Sequence, residues 1–396
     1  MDSAVIIAGG RGTRLGPVTS NLPKPLVDVC GVPFLHHLIK QVQDAGISRL
    51  IILAGYLGHE FTNFVHRYKS DFPGLDIVVK ISPVDINTGD RLLDALDILD
   101  DRFIFLYGDN YAPINLRCYL DDAGKNADST YLLVYENNDE YSKSNISIDE
   151  QSTILSYGSE DKQSQKCHHV DVGYAVLNKH DLLKIPSREN VHFGRDVLKR
   201  LIDQRQVKAR VLLSRYYTVG TMERLQAARL FFSRDKFVFI DRDGVLNVKS
   251  PRGTYVEDPS QFIWKNGSLE GLKIFKDSGY KVIVITNQAG VGRGVFDMTA
   301  LDTIHQKMCL DARNAGGEIE YIYCCPHHWE DDCDCRKPKP GMLIAAQKDL
   351  MIDLSRTTFI GDDDRDGIAA RAASTNFIKV NTNDSLRDIA SRIVSN

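Results

Sequence analysis

Short apolar runs recur along the chain, and amphipathic stretches separate them. Val5–Ala8, Leu50–Leu53 and Phe103–Tyr107 are rich in β-branched or aromatic residues, which favours buried strands. Phe34–Asp44 and Arg91–Leu99 carry apolar residues at the spacing of one helix face. Because strands that alternate with helices assemble into a mainly parallel sheet covered on both faces, the pattern predicts an α/β fold.

The same pattern starts again near residue 236. Lys236–Ile240 predicts a strand that runs directly into acidic residues, and Lys281–Thr286 and Thr358–Ile360 predict further strands. The chain has 396 residues, which is more than one hydrophobic core usually serves. We therefore predict two doubly wound domains, residues 1–232 and residues 236–396.

Composition and charge exclude several classes of protein. The 43% of hydrophobic and 26% of charged residues are globular values, and a net charge of -4 leaves no basic excess for nucleic acid or an anionic membrane. No apolar run approaches the ~20 residues that span a bilayer, and the first residues lack the basic region of a signal peptide. A cytoplasmic protein with neither a nucleic-acid nor a membrane partner is expected.

A glycine-rich loop, AGGRGTRL, follows the first predicted strand. Gly9, Gly10 and Gly12 would let backbone amides approach an anion closely, and Arg14 adds positive charge. Such a loop alone is also typical of a simple strand-to-helix turn. Here the sequence LPKPL follows, in which two prolines restrict the backbone around Lys24. A lysine held in this way suits contact with a phosphate in a transition state.

Together these elements resemble the sugar-1-phosphate nucleotidyltransferases, whose pattern is G-G-x-G-T-R-L followed by P-K-P. The resemblance covers roughly residues 1–232 and implies that a sugar phosphate attacks the α-phosphorus of a nucleoside triphosphate, with magnesium bridging the phosphates. It implies that Arg14 and Lys24 neutralise charge there. Further residues are implied at the nucleotide (Gly9, Gly10, Gly12, Thr13), at magnesium (Asp109), at the sugar (Asp171) and at the sugar phosphate (Lys162).

Two elements depart from this family's pattern. The second metal aspartate of D-x-G-T is replaced by Thr218, and a hydroxyl is a poorer magnesium ligand than a carboxylate. The usual G-T-x-G element reads NTGDR at residues 87–91. Because the glycine loop and Lys24 are intact, we expect an active transferase. A non-catalytic domain that senses sugar nucleotides is the alternative.

Two carboxylates follow the strand that opens the second half. Asp241 and Asp243 lie two residues apart, so in an extended segment they face the same side, and such a pair suits a nucleophile and a general acid. A solvated turn would carry the same D-R-D-G residues. Three further elements favour chemistry: Thr286 at the end of the next strand, Lys337 in an R-K-P sequence and Asp362 after a late strand.

This ordered set resembles the haloacid dehalogenase superfamily of phosphatases, over about residues 236–396. The resemblance implies that Asp241 attacks phosphorus and becomes an aspartyl phosphate. Asp243 would protonate the leaving alcohol and then deprotonate the hydrolytic water. Thr286 and Lys337 would hold the phosphoryl oxygens. Magnesium would be bound by Asp241, Asp362 and the backbone carbonyl of Asp243.

Four of the eight cysteines lie within residues 324–335, just before the R-K-P sequence. Three thiolates and one imidazole suit a tetrahedral zinc site with no open position, which is a structural site. The predicted ligands form a C-x-H and a C-x-C pair: Cys325, His327, Cys333 and Cys335. Cys324 and His328 are adjacent alternatives, but the related families use the C-x-H pattern.

Within the superfamily, the zinc loop resembles those of heptose bisphosphate phosphatases and histidinol-phosphate phosphatases. The sequences DRDGVLN, NQAGVGRG and CPHH fit the heptose group. This resemblance implies substrate contacts for Asn287, Gln288, Arg293 and Arg336, and the two arginines would bind a second phosphate. The second domain is thus expected to be a haloacid-dehalogenase-like phosphatase with a zinc loop, and the first a Rossmann-like nucleotidyltransferase.

The two resemblances fit consecutive reactions. Removal of the 7-phosphate from D-glycero-D-manno-heptose 1,7-bisphosphate leaves heptose 1-phosphate, which nucleotidyl transfer would then activate. Because the first domain looks closest to heptose-1-phosphate guanylyltransferases, GTP is the favoured nucleotide. We predict a bifunctional enzyme that uses Mg²⁺ and structural Zn²⁺. The alternative is a histidinol-phosphate-type or other small-molecule phosphatase fused to a hexose-1-phosphate nucleotidyltransferase or to a sensor domain.

Overall fold

The computed structural model describes residues 3–125, 128–158, 167–185, 190–233, 236–251, 253–381 and 384–395. The chain divides into two compact units, Met1–Ser233 and Arg234–Asn396, and each contains its own main sheet. Every helix in the described ranges is too short or too polar to cross a lipid bilayer. Lys162 lies outside the described residues.

The described residues of the first unit form thirteen strands. They are β1 (Ser3–Ala8), β2 (Asp28–Val29), β3 (Val32–Pro33), β4 (Arg49–Ala54), β5 (Asp76–Ile81), β6 (Arg102–Tyr107), β7 (Asn110–Tyr111), β8 (Thr130–Glu136), β9 (Ile146–Ile148), β10 (Ile154–Tyr157), β11 (His169–Asn178), β12 (Val207–Leu212) and β13 (Tyr217–Thr218). Nine of them form one sheet in the order β10-β9-β11-β6-β1-β4-β5, and β8 extends it between β11 and β12. Separate two-stranded sheets pair β2 with β3 and β7 with β13.

The alternation of strands and helices predicts a mainly parallel sheet, but the sheet of the first unit is mixed. The strands β5, β4, β1 and β6 run parallel, whereas β11 runs antiparallel to β6, β8 and β9. No helix lies between β8 and β11 in the described residues there. A parallel return needs a long crossover, so strands joined without one pair antiparallel.

The helices of the first unit cover both faces of the sheet. They are α1 (Phe34–Asp44), α2 (Gly58–Tyr68), α3 (Thr88–Leu93), α4 (Leu116–Gly124), α5 (Lys179–Leu183), α6 (Lys199–Asp203) and α7 (Met222–Phe232), with shorter 3₁₀ or π segments at Thr13–Thr19, Lys24–Leu26, Lys69–Asp71 and Phe193–Leu198. Ala4 and Ile6 of β1 pack in a core with α1, α2, α4 and α7, whereas Val5 and Ile7 pack with α3, α5 and α6. This alternation follows from the two-residue period of a strand.

The helix predicted over Arg91–Leu99 differs in the structure. Helix α3 begins at Thr88, because Asn87 and Asp90 form a reciprocal capping box that fixes the first turn. It ends at Leu93, and the following residues form successive turns rather than an α-helix. The apolar spacing was therefore correct for burial, but the boundaries of the prediction were wrong.

The second unit has a five-stranded parallel sheet in the order β16-β15-β14-β17-β18. Its strands are β14 (Lys236–Ile240), β15 (Tyr280–Asn287), β16 (Tyr321–Cys325), β17 (Thr358–Gly361) and β18 (Asn376–Lys379). Its helices are α8 (Ser268–Asp277), α9 (Ala289–Gly292), α10 (Met298–Asn314), α11 (Gly341–Leu350), α12 (Asp364–Ala372) and α13 (Leu386–Val394), with 3₁₀ turns at Pro259–Gln261 and Leu354–Arg356.

Helices lie on both faces of this sheet as well. Val238 and Ile240 of β14 pack with α8, α10 and α13, while Phe237 and Phe239 pack with α11 and α12. The predicted α/β class with two doubly wound units is therefore confirmed. In such parallel sheets the carboxyl ends of the strands form the edge at which ligands bind. That edge is where Asp241, Thr286 and Asp362 follow or end their strands.

Candidate active sites

The carboxyl edge of the second unit brings a buried lysine against two aspartates. Lys337 Nζ lies 2.8 Å from Asp241 Oδ1 and 2.8 Å from Asp366 Oδ1, and it donates to the Ile285 carbonyl at 3.0 Å. The Lys337 and Asp241 residues are only 4% and 7% exposed. Burial raises the pKa of Asp241 to about 7, although the Lys337 charge opposes the rise.

Asp366 is a site residue that the sequence analysis did not find. It is 1% exposed, and its Oδ2 accepts a hydrogen bond from the backbone N–H of Asp363, which caps α12. The other oxygen, Oδ1, faces Lys337. A capping box spaces its two residues three apart, and the D-x-x-D sequence after β17 carries that signal. A helix cap here therefore also supplies a carboxylate to the site.

The same edge fits a hard divalent cation. Carboxylate oxygens of Asp241, Asp362 and Asp366 all lie within 4.8 Å of one another. Asp362 Oδ1 is buried and has no hydrogen-bond partner among the described residues. A Cβ at Gly244 would lie 2.3 Å from Asp362 Oδ2, so glycine keeps this space open. Magnesium prefers such oxygen ligands. Lys249 Nζ, at 2.6 Å, balances the charge of Asp362.

The carboxylate of Asp243 is held by three donors. Asn247 Nδ2 donates at 3.0 Å, Gln288 Nε2 at 2.8 Å and Arg242 Nη2 at 3.0 Å. Burial acts to raise the pKa of Asp243, but the Arg242 charge and these hydrogen bonds outweigh burial and lower it. Arg242 is itself 1% exposed and also donates to Gln288 Oε1. The sequence analysis missed Arg242 and Asn247 because their roles depend on this folded network.

Asn287 binds the backbone that carries the lysine. Its Nδ2 donates to the Lys337 carbonyl at 3.1 Å, and its Oδ1 accepts from the Lys337 N–H at 3.1 Å. The hydroxyl of Thr286 accepts from Gln288 Nε2 at 2.8 Å. These contacts let Asn287 position Lys337 and Gln288 position Thr286. Both residues also line the cavity above the site, where the sequence analysis expects substrate contacts.

A cavity of about 940 Å³ opens above these groups. Its described lining includes the predicted residues Asp241, Asp243, Thr286, Asn287, Gln288, Arg293, Arg336 and Lys337. Asp362 is not part of the described lining, and Asp363 and Asp366 are. The cavity therefore has carboxylates and a lysine at its floor, with further arginines in its wall.

The predicted zinc ligands converge on one point. Cys333 Sγ lies 3.6 Å from Cys325 Sγ and 3.5 Å from Cys335 Sγ, and His327 Nδ1 lies 3.2 Å from Cys335 Sγ. Thiolates about 2.3 Å from a tetrahedral zinc ion would stand about 3.8 Å apart, so the group fits that ion with little adjustment. Cys324 and His328 are not among the clustered ligands.

The segment 325–335, which carries the predicted zinc ligands and is called the cysteine loop below, contacts the segments that carry Arg293 and Arg336. The Gln288 and Gly292 N–H groups donate to the carbonyls of Cys325 and Pro326 at 2.7 and 2.8 Å. Arg336 Nη1 donates to the His327 carbonyl at 3.4 Å. The Arg293 guanidinium stands 5.3 Å from the ring centre of Trp329 and 5.7 Å from that of Tyr255. The fold of this loop therefore sets the positions of Arg293 and Arg336.

In the first unit, a cavity of about 750 Å³ lies at the carboxyl ends of β1 and β6. Its lining contains the predicted residues Gly9, Gly10, Gly12, Thr13, Arg14, Lys24 and Asp109. Lys24 is 8% exposed and its Nζ forms an ion pair with Asp109 Oδ2. Asp109 is the one carboxylate among the described lining residues. The loop and the lysine that define the sequence motif thus meet around Asp109.

Thr218 lies beside Asp109, as the family pattern implies. It pairs with Asn110 across β13 and β7, and the N–H of Val219 donates to the Asp109 carbonyl at 3.0 Å. Thr218 lines the same cavity. At the position where the family pattern has its second metal aspartate, this chain therefore places a hydroxyl in the cavity.

The glycine loop rests on a buried arginine that the sequence analysis did not single out. Arg91 is 2% exposed and donates to the carbonyls of Ala54 at 2.5 Å and Pro83 at 2.9 Å. A Cβ at Gly9 would lie 2.3 Å from Arg91 Nε, so the loop approaches as closely as glycine permits. Arg91 belongs to the NTGDR sequence that departs from the family pattern.

Asp171 does not appear in the described lining of this cavity. Its Oδ1 accepts from the Gly173 N–H at 2.8 Å and its Oδ2 from the Tyr157 hydroxyl at 3.2 Å. Burial raises the pKa of Asp171 to about 6, although these hydrogen bonds oppose the rise. The contacts belong to a bulge of β11, where the pairing with β8 shifts between Asp171 and Tyr174.

Comparison with known proteins gives a match for each half. Residues 3–234 match the nucleotidyl transferase family, and residues 236–387 match the polynucleotide kinase 3 phosphatase family. The D-glycero-beta-D-manno-heptose-1,7-bisphosphate 7-phosphatase of Pasteurella multocida is 40% identical over 144 residues, which are 35% of this chain and 77% of that protein.

Two solved structures resemble the chain over more than half of its length. A candidate glucose-1-phosphate thymidylyltransferase from Bacillus anthracis, solved with a sucrose, is 19% identical and shares the fold with a TM-score of 0.51 over 57% of this chain and 93% of that one. HddC from Yersinia pseudotuberculosis, complexed with GMP-PN, is 26% identical over 59% of this chain and 100% of that chain, with a TM-score of 0.49. By its family match and its 40% identical relative, the chain belongs both to the nucleotidyl transferases and to the D-glycero-beta-D-manno-heptose-1,7-bisphosphate 7-phosphatases.

Proposed function

We propose that the chain performs two consecutive steps in the synthesis of a nucleotide heptose. Residues 236–396 would remove the 7-phosphate from D-glycero-D-manno-heptose 1,7-bisphosphate, and residues 1–232 would transfer a nucleotidyl group to the heptose 1-phosphate. GMP from GTP is the favoured group, from the sequence resemblance of the first half. The observation that carries the proposal is the presence of a separate phosphate-chemistry site in each unit of a chain with heptose bisphosphate phosphatase relatives.

In the phosphatase step, Asp241 would attack the phosphorus of the 7-phosphate. A bond forms between a carboxylate oxygen and phosphorus, and the bond from phosphorus to the C7 oxygen breaks. Lys337 and Thr286 would hold the phosphoryl oxygens. Asp243 would give a proton to the leaving alcohol and later take one from water. The Arg242 contact favours the base form of Asp243, and an incoming phosphate dianion would favour its acid form.

Magnesium fits the first of the two metal positions in the second unit. Asp241, Asp362 and the backbone carbonyl of Asp243 would hold it, and Asp366 is a further carboxylate within reach of the same group. Bound there, magnesium would offset the negative charge of the phosphoryl oxygens. Among the described residues these three carboxylates form ion pairs with two ammonium groups, those of Lys249 and Lys337, so a divalent cation would balance the remaining negative charge.

In the transferase step, an oxygen of heptose 1-phosphate would attack the α-phosphorus of the triphosphate, and pyrophosphate would leave. Gly9, Gly10 and Gly12 permit backbone amides to approach the triphosphate closely. Arg14 and Lys24 would neutralise the charge that develops. Asp109 would hold magnesium without a second carboxylate, since Thr218 supplies no charge, and the ion would offset negative charge on the phosphates.

Zinc fits the cysteine loop, and we expect Cys333→Ser to disturb it. A serine hydroxyl is a poor zinc ligand, so the affinity for zinc should fall by at least the about 10- to 100-fold that loss of an outer-shell partner costs, and the zinc content of the purified chain should fall with it. Phosphate release should fall with it, because the loop holds Arg336 and leads into Lys337. Atomic emission spectrometry of the purified chain measures the zinc content, and a phosphate assay measures the phosphatase activity.

Cys324→Ser is the matched control, because Cys324 adjoins the cluster but is not one of its four ligands. It should keep the metal and the activity. Equal zinc content in the Cys333 and control variants would contradict the structural zinc site.

The proposed function is tested by identifying the product. The full chain receives heptose 1,7-bisphosphate, magnesium and each nucleoside triphosphate in turn, and mass spectrometry detects any nucleotide heptose. Phosphate release without a nucleotide sugar would exclude the transferase half. Faster turnover of histidinol phosphate than of the heptose bisphosphate would exclude the phosphatase assignment.

The proposed reactions belong in the cytoplasm. All eight cysteines are free thiols in the structure, as in proteins of a reducing compartment. Cysteines that bind zinc as thiolates also require a reducing environment, because disulfide formation would remove the ligands.

A further inference from the structure

We propose that Arg224 binds the phosphate group of the incoming sugar 1-phosphate in the first unit. Arg224 lines the cavity that contains the glycine loop, Lys24 and Asp109. It was not among the residues that the family resemblance implied. The proposal rests on the nucleotidyl transfer proposed above and names the residue that recognises the attacking substrate.

The guanidinium of Arg224 has a fixed direction. Its Nη2 donates to the Tyr141 carbonyl at 3.1 Å and to the Ser142 hydroxyl at 3.4 Å. It also stands 4.7 Å from the ring centre of Tyr141. The backbone of Arg224 lies in the first turn of α7, where its N–H donates to Thr221 Oγ1 at 3.3 Å. Such a planar cation, already oriented, suits two-point binding of a phosphate.

The charge of Arg224 is not balanced by a carboxylate of the described residues. A second arginine, Arg215, stands 4.5 Å from the centre of the same Tyr141 ring, but Asp139 accepts from its Nε at 3.1 Å and its Nη2 at 2.5 Å. Arg224 forms no ion pair with any acid in the described ranges. A partly buried cation without a counter-ion attracts an anion into its cavity.

The described lining of the cavity contains few positive charges for two phosphate-bearing substrates. Arg14, Lys24 and Arg224 are the lysine and arginine residues of its described lining, and Asp109 pairs with Lys24. Two substrates that both carry phosphate must enter together. Because Thr218 brings no second carboxylate, it does not help to attract a divalent cation to this part of the site. Arg224 supplies fixed positive charge from the same β13–α7 segment.

The strand order places Arg224 on the side of the attacking substrate. The glycine loop follows β1, Asp109 follows the neighbouring β6, and β11 and β8 come next in the sheet. Arg224 binds Tyr141 and Ser142, in the segment after β8. Asp109 therefore lies between the strand that leads to the triphosphate loop and the strands near Arg224. An in-line reaction requires the attacking phosphate and the leaving pyrophosphate on opposite sides of the α-phosphorus.

The test compares Arg224→Gln with Arg215→Gln in the full chain. Both variants remove one arginine from the Tyr141 ring, but only Arg224 lines the cavity. Pyrophosphate release is measured with heptose 1-phosphate and GTP. For Arg224→Gln we expect the KM for heptose 1-phosphate to rise about 10- to 100-fold, the range for loss of a hydrogen bond to a charged group. The KM for GTP should change less than about twofold, and Arg224→Lys should recover part of the loss.

A rise confined to the KM for GTP, or equal effects of the two glutamine variants, would overturn the proposal. Failure of the proposed function is a separate result, because then the unaltered chain would release no pyrophosphate with any triphosphate. In that case calorimetric titration with heptose 1-phosphate still decides. The second unit is identical in the two proteins, so weaker binding by Arg224→Gln than by the unaltered chain supports the phosphate contact, and equal binding excludes it.

Discussion

The Asp241→Asn variant should release phosphate from heptose 1,7-bisphosphate about 10⁴- to 10⁶-fold more slowly than the unaltered chain, the range found when an enzyme loses one member of its catalytic group. An amide oxygen is not a nucleophile toward phosphorus, so the aspartyl phosphate cannot form. Asparagine keeps the size of the side chain and an oxygen that can accept from Lys337 Nζ, which lies 2.8 Å from Asp241 Oδ1. The fold should therefore persist.

The same sample should still transfer a nucleotidyl group to heptose 1-phosphate, because Asp109 and Lys24 lie in the other unit. Asp364→Asn is the matched control. Asp364 begins α12 near the site, but its side chain is 85% exposed and pairs with Lys379. Loss of both reactions in Asp241→Asn would contradict separate sites, and unchanged phosphate release would exclude Asp241 as nucleophile.

The Lys337→Met variant should lose both phosphatase activity and stability. Methionine fills a similar volume but removes the ammonium that pairs with Asp241 and Asp366 and donates to the Ile285 carbonyl. Two buried carboxylates then lose their shared partner, a change that typically lowers the free energy of unfolding by about 3–5 kcal/mol. Loss of a cation at the phosphoryl oxygens should slow phosphate release by about 10²- to 10³-fold.

Urea unfolding of the second unit, followed by circular dichroism, measures the first effect, and a phosphate assay measures the second. Lys339→Met is the control, because Lys339 lies two residues away and pairs with Asp332 at the surface. If Lys337→Met unfolded at the same urea concentration as this control, the ammonium would not be what stabilises the paired aspartates.

Much of both sites was predictable because the residues follow strands directly. The glycine loop, Asp109, Asp241 and Asp362 all lie next to the end of a strand that apolar runs reveal. The parallel sheet then brings such ends together. The C-x-H and C-x-C pairs converge for a similar reason, since all four ligands lie within eleven consecutive residues.

The residues that the sequence analysis missed depend on tertiary packing. Arg242 and Arg91 lie in the DRDG and NTGDR sequences, but no local pattern predicts that the fold buries them to 1% and 2% exposure. Arg224 reads as a surface residue of a helix, yet the segment after β8 turns its guanidinium into the cavity. Asp171, by contrast, was predicted to contact the sugar. In the structure it lies at a bulge of β11, and both of its carboxylate oxygens accept hydrogen bonds from within the fold.

Positions 9 and 91 are expected to constrain each other as this sequence diverges. A side chain at Gly9 would occupy space that the Arg91 guanidinium fills, and that guanidinium joins Ala54 and Pro83 through their carbonyls. A larger residue at position 9 becomes tolerable only after position 91 has shortened, and the shortened residue would leave buried carbonyls unsatisfied. Such reciprocal epistasis would preserve this glycine even in a descendant that no longer bound a nucleotide.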